Sequence, residues 1–133
     1  FNELFKNWFD ILLEDESIHV RVDEDFTPII EQDGYETFIE NLSGGEKTSA
    51  ALSYRLALNK VINDIVADIK TKDIIMLDEP TDGFSAEQLD KVRDVLDKLN
   101  MKQVIIVSHE IKIESFVYNV IRVQKQENVS VVG

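Results

Sequence analysis

The chain has 133 residues, of which 44% are hydrophobic and 30% are charged, a composition typical of one globular domain. It has no apolar run near the roughly 18 residues that a membrane span needs, and no cysteine, which excludes disulfide bonds and thiolate metal sites and favours an intracellular protein. The net charge of −12 gives no support for nucleic-acid binding by this chain alone, because an acidic surface repels phosphate backbones.

The first third of the chain predicts one helix followed by short strands. Apolar residues share one face at helical spacing in the opening segment: Phe1, Leu4, Phe5, Trp8, Phe9 and Leu12. Ile18, Val20 and Val22 then alternate with polar residues, which is typical of a strand with one wet face. Two further strands are predicted around residues 27–31 and 35–39.

The remainder predicts alternating helices and buried strands. A long helix follows Ser43, and its predicted apolar face is Ala51, Tyr54, Leu58, Val61, Ile62, Ile65 and Ile69. Residues 73–78 and 103–107 are short apolar runs, which indicate parallel strands covered on both faces. A helix over 85–100 separates them, a short helix begins at Ser108, and a hairpin closes the chain. We therefore predict an α/β fold with a mostly parallel sheet, flanking helices and antiparallel edge strands.

Two adjacent carboxylates and a histidine follow the two predicted parallel strands. Asp78 and Glu79 end the first strand, and His109 follows the second. Ligands of open α/β sheets bind beyond the carboxyl ends of the strands. This set suits phosphoryl chemistry, in which one carboxylate holds Mg²⁺ through water and the other activates an attacking water. The alternative is that these polar residues only terminate the strands.

A serine and two glycines precede the long helix. Ser43 and Glu46 have the spacing of a capping box, which accounts for those two residues. Capping does not account for Gly44 and Gly45, because each glycine in a helix costs about 1 kcal/mol relative to alanine. Glycines at a helix N-terminus leave N–H groups open to a closely approaching anion. We interpret this segment as a phosphate-contacting turn.

The sequence contains no complete P-loop. Residues 44–48 resemble the end of the pattern G-x-x-x-x-G-K-[ST], but Glu46 stands where the second glycine is required. The chain therefore has residues for hydrolysis and lacks a segment that would hold the β- and γ-phosphates. We expect it to be part of a composite site.

Taken together, these motifs resemble those of ABC-type ATPases. Residues 42–46 are similar to the signature motif of that superfamily, 74–79 to its Walker B strand with the catalytic glutamate, and 81–85 to its D-loop. His109 matches the switch histidine. The order and spacing of these motifs agree across residues 42–110, so we expect the C-terminal lobe of a P-loop NTPase of the ABC type, lacking Walker A.

Two features narrow the resemblance. The missing Walker A disfavours a transporter cassette, in which Walker A and the signature share one domain. Residues 52–58 and the pair 80–81 are similar to those of Rad/Mre-type double-strand-break repair ATPases, SMC-like proteins whose head halves lie at opposite ends of a coiled coil. The resemblance implies that residues 1–13 are the base of the C-terminal coiled-coil helix and that 14–133 are the C-terminal lobe of the head. The chain begins at Phe1 rather than Met, so we expect a fragment.

The resemblance also implies a role for each matching residue. Asp78 would hold Mg²⁺ through water, Glu79 would orient the attacking water, and His109 would contact the γ-phosphate. The residues implied to bind ATP from the opposite subunit are Ser43, Gly44, Gly45, Glu46, Lys47 and Ser85. Lys47 and Arg55 match basic positions that couple nucleotide state to lobe rotation. Ser85 replaces the aspartate with which the D-loop usually ends.

The implied function is ATP hydrolysis with Mg²⁺, by a head that dimerises on ATP to regulate a repair nuclease. Activity would require the N-terminal Walker A half, and this chain would be inactive alone. The implied partners are that half, a second copy of the head, the nuclease subunit and DNA through the assembled complex, without a membrane. The alternatives are the head of another SMC-type chromosome-organising ATPase and a non-catalytic interaction module.

The aromatic stripe of the first helix has two interpretations. Its rings pack in the core at the base of the coiled coil, or Phe1, Phe5 and Trp8 include part of the nuclease-docking surface, since exposed aromatic residues mark interfaces.

Overall fold

The computed structural model describes residues 1–66, 68 and 73–133. The chain begins with helix α1 (Asn2–Leu12), followed by strands β1 (Ile18–Val22), β2 (Pro28–Gln32) and β3 (Tyr35–Thr37). These strands form an antiparallel sheet in the order β1-β2-β3. The predicted helix and three strands are confirmed, although β3 is shorter than predicted because a 3₁₀ helix (Ile39–Asn41) follows it.

The aromatic residues of α1 pack in the core, so the prediction of a partner surface is wrong for Phe5 and stays a prediction for Phe1 and Trp8. Phe5 is fully buried, and the half-buried Phe1 and Trp8 pack against the same cluster of buried residues. The ring centroid of Phe1 lies 5.2 Å from that of Tyr54 in an edge-on arrangement. Because the body of the lobe covers this face of α1, the core interpretation of the stripe is confirmed.

Helix α2 (Gly44–Ile65) is buried on a different face from the predicted one. Its buried residues are Ser49, Ala50, Leu52, Ser53, Leu56 and Ala57. Ala51 and Ile62 are exposed, and Ile65 is 75% exposed. Ala50 and Ala57 belong to the cluster that contains α1 and β1, whereas the leucines of α2 belong to a second cluster with β4 and α3. The predicted face was wrong because α2 packs between two layers, and Ile69 lies outside the described residues.

Strands β4 (Ile74–Asp78) and β5 (Gln103–Val107) are parallel, and helix α3 (Ala86–Leu99) connects them. α3 buries Leu89, Val92 and Val95. The second cluster covers one face of the two-stranded sheet. The other face is exposed in this chain, with Met76 67% accessible, so only one of the two faces predicted to be covered is covered by residues of this chain.

The C-terminal segment contains a 3₁₀ helix (Ile111–Phe116) and the hairpin of β6 (Val123–Gln126) and β7 (Val129–Val132). The hairpin was predicted. The 3₁₀ helix begins three residues after the helix start predicted at Ser108. Within the described ranges, every helix is too short or too polar to cross a lipid bilayer.

Phe5→Ala is expected to lower the free energy of unfolding by about 3–5 kcal/mol, because it leaves a cavity in place of a fully buried ring. Asn7→Ala, on the exposed side of the same helix, is the matched control and is expected to change it by less than about 0.5 kcal/mol. Urea titration measures both. Equal, small losses would show that α1 does not belong to the folding core.

Candidate functional site

The turn before α2 (residues 42–46, called the signature turn below) is held by a complete capping box. The Ser43 hydroxyl accepts a hydrogen bond from the Glu46 N–H at 3.3 Å, and Glu46 Oε2 accepts one from the Ser43 N–H at 2.7 Å. The predicted capping box is therefore confirmed. The Glu46 carboxylate accepts from the Ser43 backbone. The N–H groups of Gly44 and Gly45 lie at the open end of the helix, in its first turn.

The two glycines of the turn have different surroundings. A Cβ atom on Gly44 would meet no atom within 4 Å, so this residue faces open space. A Cβ atom on Gly45 would lie 2.7 Å from Gln88 Oε1 and 3.3 Å from the carbonyl oxygen of Gly83. Gly44 therefore leaves room for a ligand, whereas Gly45 is closely packed, and a side chain there would displace Gln88.

Helix α3 begins beside the signature turn with a second capping box. The Ser85 hydroxyl accepts from the Gln88 N–H at 3.2 Å, and Gln88 Oε1 accepts from the Ser85 N–H at 3.1 Å. An open groove of about 490 Å³ lies between the two helix starts. Its lining residues are Leu13, Ser43, Gly44, Gly45, Glu46, Gly83, Phe84, Ser85 and Gln88. Because the N-termini of α2 and α3 border one groove, their partial positive charges favour an anion there.

Lys47 lies at the end of the first turn of α2. A lysine near a helix N-terminus is placed against the helix dipole and lowers stability unless an anion is close. Arg55 lies two turns further along α2 and donates from Nη2 to the carbonyl oxygen of Met76 at 3.3 Å. It therefore connects α2 to the strand that carries Asp78.

The parallel register of β4 and β5 brings the predicted catalytic residues together. Asp78 pairs with Val107 across the two strands, and the Glu79 N–H donates to the Val107 carbonyl at 2.9 Å. His109 Nδ1 lies 3.0 Å from Glu79 Oε2. The hydrogen bond and the negative charge of Glu79 raise the pKa of His109 above its ordinary value of 6.5, and the charges of Glu110 and Asp82 add to this.

Glu79 has a left-handed backbone with φ of 43°. A non-glycine residue in this region costs about 1–2 kcal/mol, and such residues cluster at functional sites. The conformation follows from the sharp exit of the chain from β4, where the Glu79 N–H still bonds β5. Sequence alone carries no signal for this strain.

Asp78 is an exposed carboxylate at the end of β4 and fits a Mg²⁺ site of the nucleotide-bound kind. Mg²⁺ is usually held by one or two carboxylates together with waters and substrate phosphates. Across residues 1–66, 68 and 73–133, no group of three or more acidic or histidine side chains is arranged to hold a metal. Phosphates and waters would therefore supply most of the ligands.

The structure also identifies residues that the sequence analysis did not select. Thr48 donates from its hydroxyl to the Asp82 carbonyl at 2.6 Å, and Gln88 Nε2 donates to the Ser49 hydroxyl at 3.4 Å. The S-x-x-Q spacing of Ser85 and Gln88 is visible in the sequence as a capping box. The contacts of Thr48 and Gln88 with a distant segment have no local signal.

Comparisons with known proteins find relatives of this chain in one family, although no protein-family model matches it. It is 33% identical over 130 residues to the DNA double-strand break repair Rad50 ATPase of Thermoplasma acidophilum, covering 94% of this chain and 13% of the relative. It is 37% identical over 94 residues to that of Methanocaldococcus jannaschii, covering 69% and 9%. The chain is homologous to the Rad50 ATPases over nearly its whole length. It spans about an eighth of the length of these relatives, or less.

Comparison with solved structures shows that this chain has the fold of part of an SMC ATPase head. An SMC head bound to the C-winged helix domain of ScpA superposes with a TM-score of 0.74 at 21% identity, covering 99% of this chain and 41% of that one. A structure from a study of ATP-driven dimerisation of SMC ATPases gives 0.71 at 20% identity, covering 99% and 81%. The predicted α/β fold of the ABC-type P-loop class is confirmed, and the Rad50 homology supports membership of an ATPase head family.

The His109 resonances are expected to titrate with a pKa above 6.5. Because His109 is more basic in the folded state, its pairing with Glu79 stabilises the fold at low pH and is lost as pH rises through the raised pKa. Glu79→Gln removes the principal cause and is expected to lower that pKa. The chain has two histidines, so NMR titration in a His19→Gln background follows His109 alone. An unchanged pKa in the Glu79→Gln variant would contradict the pairing.

Proposed function

We propose that this chain is the C-terminal half of a head that binds and hydrolyses ATP, dimerises when ATP is bound, and regulates a DNA double-strand-break repair nuclease complex. The observation that carries the proposal is the open groove where the N-termini of α2 and α3 meet beside the unobstructed Gly44. Such a groove fits a phosphate group that approaches from outside the chain. The lack of a P-loop in the sequence supports a phosphate that another lobe holds.

The exposed face of the β4–β5 sheet supports a second lobe that completes the head. Ile74, Met76, Ile105 and Val107 are exposed on this face. Parallel sheets are almost always covered on both faces, so an exposed apolar face calls for a partner. We propose that the N-terminal Walker A half of the same ATPase covers it.

The proposed mechanism assigns one task to each residue at the strand ends. Asp78 holds Mg²⁺ through water, and the ion when bound neutralises the charge of the phosphates. Glu79 orients the attacking water and accepts its proton. His109, which pairs with the Glu79 carboxylate in this structure, holds that carboxylate in place and turns to the γ-phosphate when ATP is present.

The signature turn acts on the nucleotide of the opposite head. Ser43, Gly44 and Gly45 receive its γ-phosphate together with Lys47, whose position against the helix dipole suits a bound anion. Ser85 borders the same groove from α3. Arg55, bonded to the β4 backbone, relays nucleotide state to the strand that carries Asp78.

The remaining partners are proposed with support from the Rad50 homology and from the charge of the chain. A second copy of the head closes the nucleotide sandwich, and a repair nuclease subunit binds the complex. DNA binds to the assembled complex and not to this chain alone, because the net charge of −12 on this chain repels the phosphate backbone. Residues 1–13 form the base of a coiled coil that leaves the lobe at α1.

ATP turnover is expected when this chain is mixed with a separately made Walker A half, and not with this chain alone. Glu79→Gln is expected to reduce turnover at least about 100-fold, because it removes the group that activates water, while ATP-dependent dimers persist. A colorimetric phosphate assay and size-exclusion chromatography measure the two effects. Glu24→Gln, in an exposed loop, is the matched control. Absence of turnover in halves that demonstrably associate would favour an interaction module.

Met76→Asp is expected to weaken binding of the Walker A half at least about tenfold, since it places a charge in the apolar face that we propose is covered. The melting temperature of this chain alone is expected to stay near wild type, because Met76 is exposed there. Tyr35→Asp, on the exposed side of β3, is the control. Calorimetric titration measures affinity, and equal binding by all three proteins would contradict the proposed interface.

A further inference from the structure

The signature turn lies directly against the loop that leads from β4 to α3 (residues 79–85, called the strand–helix loop below). Gly83 has φ of 77°, and a Cβ atom there would lie 3.4 Å from the carbonyl carbon of Gly44. A Cβ atom on Gly45 would lie 3.3 Å from the Gly83 carbonyl oxygen. The backbone of the signature turn and that of the strand–helix loop are therefore in close contact, with a glycine on each side of the contact.

Two side chains bond across this contact. The Thr48 hydroxyl on α2 donates to the carbonyl oxygen of Asp82, which is 34 residues away in the chain, at 2.6 Å. The side-chain amide of Gln88 has two partners: its oxygen caps α3 at the Ser85 N–H, and its nitrogen donates to the hydroxyl of the fully buried Ser49 on α2. The bonds of Thr48 to Asp82 and of Gln88 to Ser49 each join the start of α2 to the segment that starts α3.

We propose that Thr48 and Gln88 are positioning residues that lock the signature turn and the strand–helix loop into one unit. The inference rests on the proposed function, in which the signature turn and the end of the strand–helix loop at Ser85 border the groove that receives the nucleotide of the opposite head. Two separate segments would each have to be ordered when the ATP sandwich forms, whereas a locked unit presents both surfaces already aligned. Preorganisation of this kind lowers the cost of binding, because less of the chain must be ordered when the complex forms.

Hydrogen exchange of the chain alone tests the lock without any nucleotide. The Phe84 N–H bonds the Thr81 carbonyl within the strand–helix loop, at 3.0 Å. Thr48→Val keeps the volume of the side chain and removes the hydroxyl, and it is expected to raise exchange at Phe84 about fivefold, the typical worth of one net hydrogen bond. Thr48→Ser restores the donor and is expected to return exchange to near wild type. Thr27→Val, the same change in the loop between β1 and β2, is the control.

A packing test addresses Gln88 separately. Gly45→Ala places a methyl group 2.7 Å from the Gln88 side chain, so it is expected to destabilise the chain more in the wild-type background than in the Gln88→Ala background. A difference of about fivefold or more in the unfolding equilibrium between the two backgrounds supports the contact. Equal effects in both backgrounds would overturn it.

Turnover in the reconstituted head then separates positioning from mere stability. Thr48→Val is expected to raise the ATP concentration for half-maximal turnover about fivefold while turnover at saturating ATP changes less than about twofold, because binding must order the released loop. Thr48→Ser is expected to restore the wild-type value. Unchanged exchange at Phe84 in Thr48→Val would overturn the lock, and so would an unchanged ATP requirement. Lack of turnover in the wild-type mixture would instead refute the proposed function, while the exchange result still decides whether the lock exists.

Discussion

The packing of α2 between two layers is the constraint on which the rest of the structure depends. One side of the helix contacts α1 and the β1–β3 sheet through Ala50 and Ala57, and another side contacts β4 and α3 through Leu52 and Leu56. Small residues on the first side let the helices approach closely, and the leucines fill the space above the sheet. Because α2 is held from both sides, its N-terminus and the signature turn have a defined position relative to the ends of β4 and β5.

Three features that cost stability lie around the proposed nucleotide site. Glu79 has a left-handed backbone, and Lys47 lies against the dipole of α2. Thr81 is fully buried, and its hydroxyl finds no hydrogen-bond partner in the part of the chain that the structure describes. Each feature opposes folding by itself, and natural sequences retain such features mainly where function requires them. The presence of both Glu79 and Thr81 in residues 78–85 agrees with the functional role proposed for this segment.

The exposed surfaces agree with a lobe that is part of a larger assembly. Side chains at alternate positions of β4 leave one apolar face of the parallel sheet uncovered, and the C-terminal hairpin is exposed along its full length. Soluble proteins rarely expose large apolar patches, so the uncovered face of the sheet and the hairpin are candidate contact surfaces of this 133-residue chain. The Rad50 relatives are many times longer than this chain, so they have additional residues that could cover such surfaces.

The sequence by itself determined the local features of this protein and the chemistry of its motifs. Capping at Ser43, the three N-terminal strands, the two parallel strands and the hairpin depend on contacts between near neighbours or on short patterns, which can be recognised in one dimension. The adjacent carboxylates at Asp78 and Glu79 were recognisable for the same reason. The similarity of these motifs to ABC-type ATPases was likewise a property of order and spacing.

Only the tertiary structure decided which surfaces these elements cover. The apolar residues of α2 were sufficient for a stripe on the predicted side, but packing between two layers buried a different face, which carries Leu52 and Leu56 as well as small side chains. Burial of Phe5, exposure of Met76 and the left-handed backbone of Glu79 each depend on which segment lies opposite. The bond from Thr48 to Asp82 joins residues 34 positions apart, and such contacts leave no trace in local periodicity because they form only when the whole core has assembled.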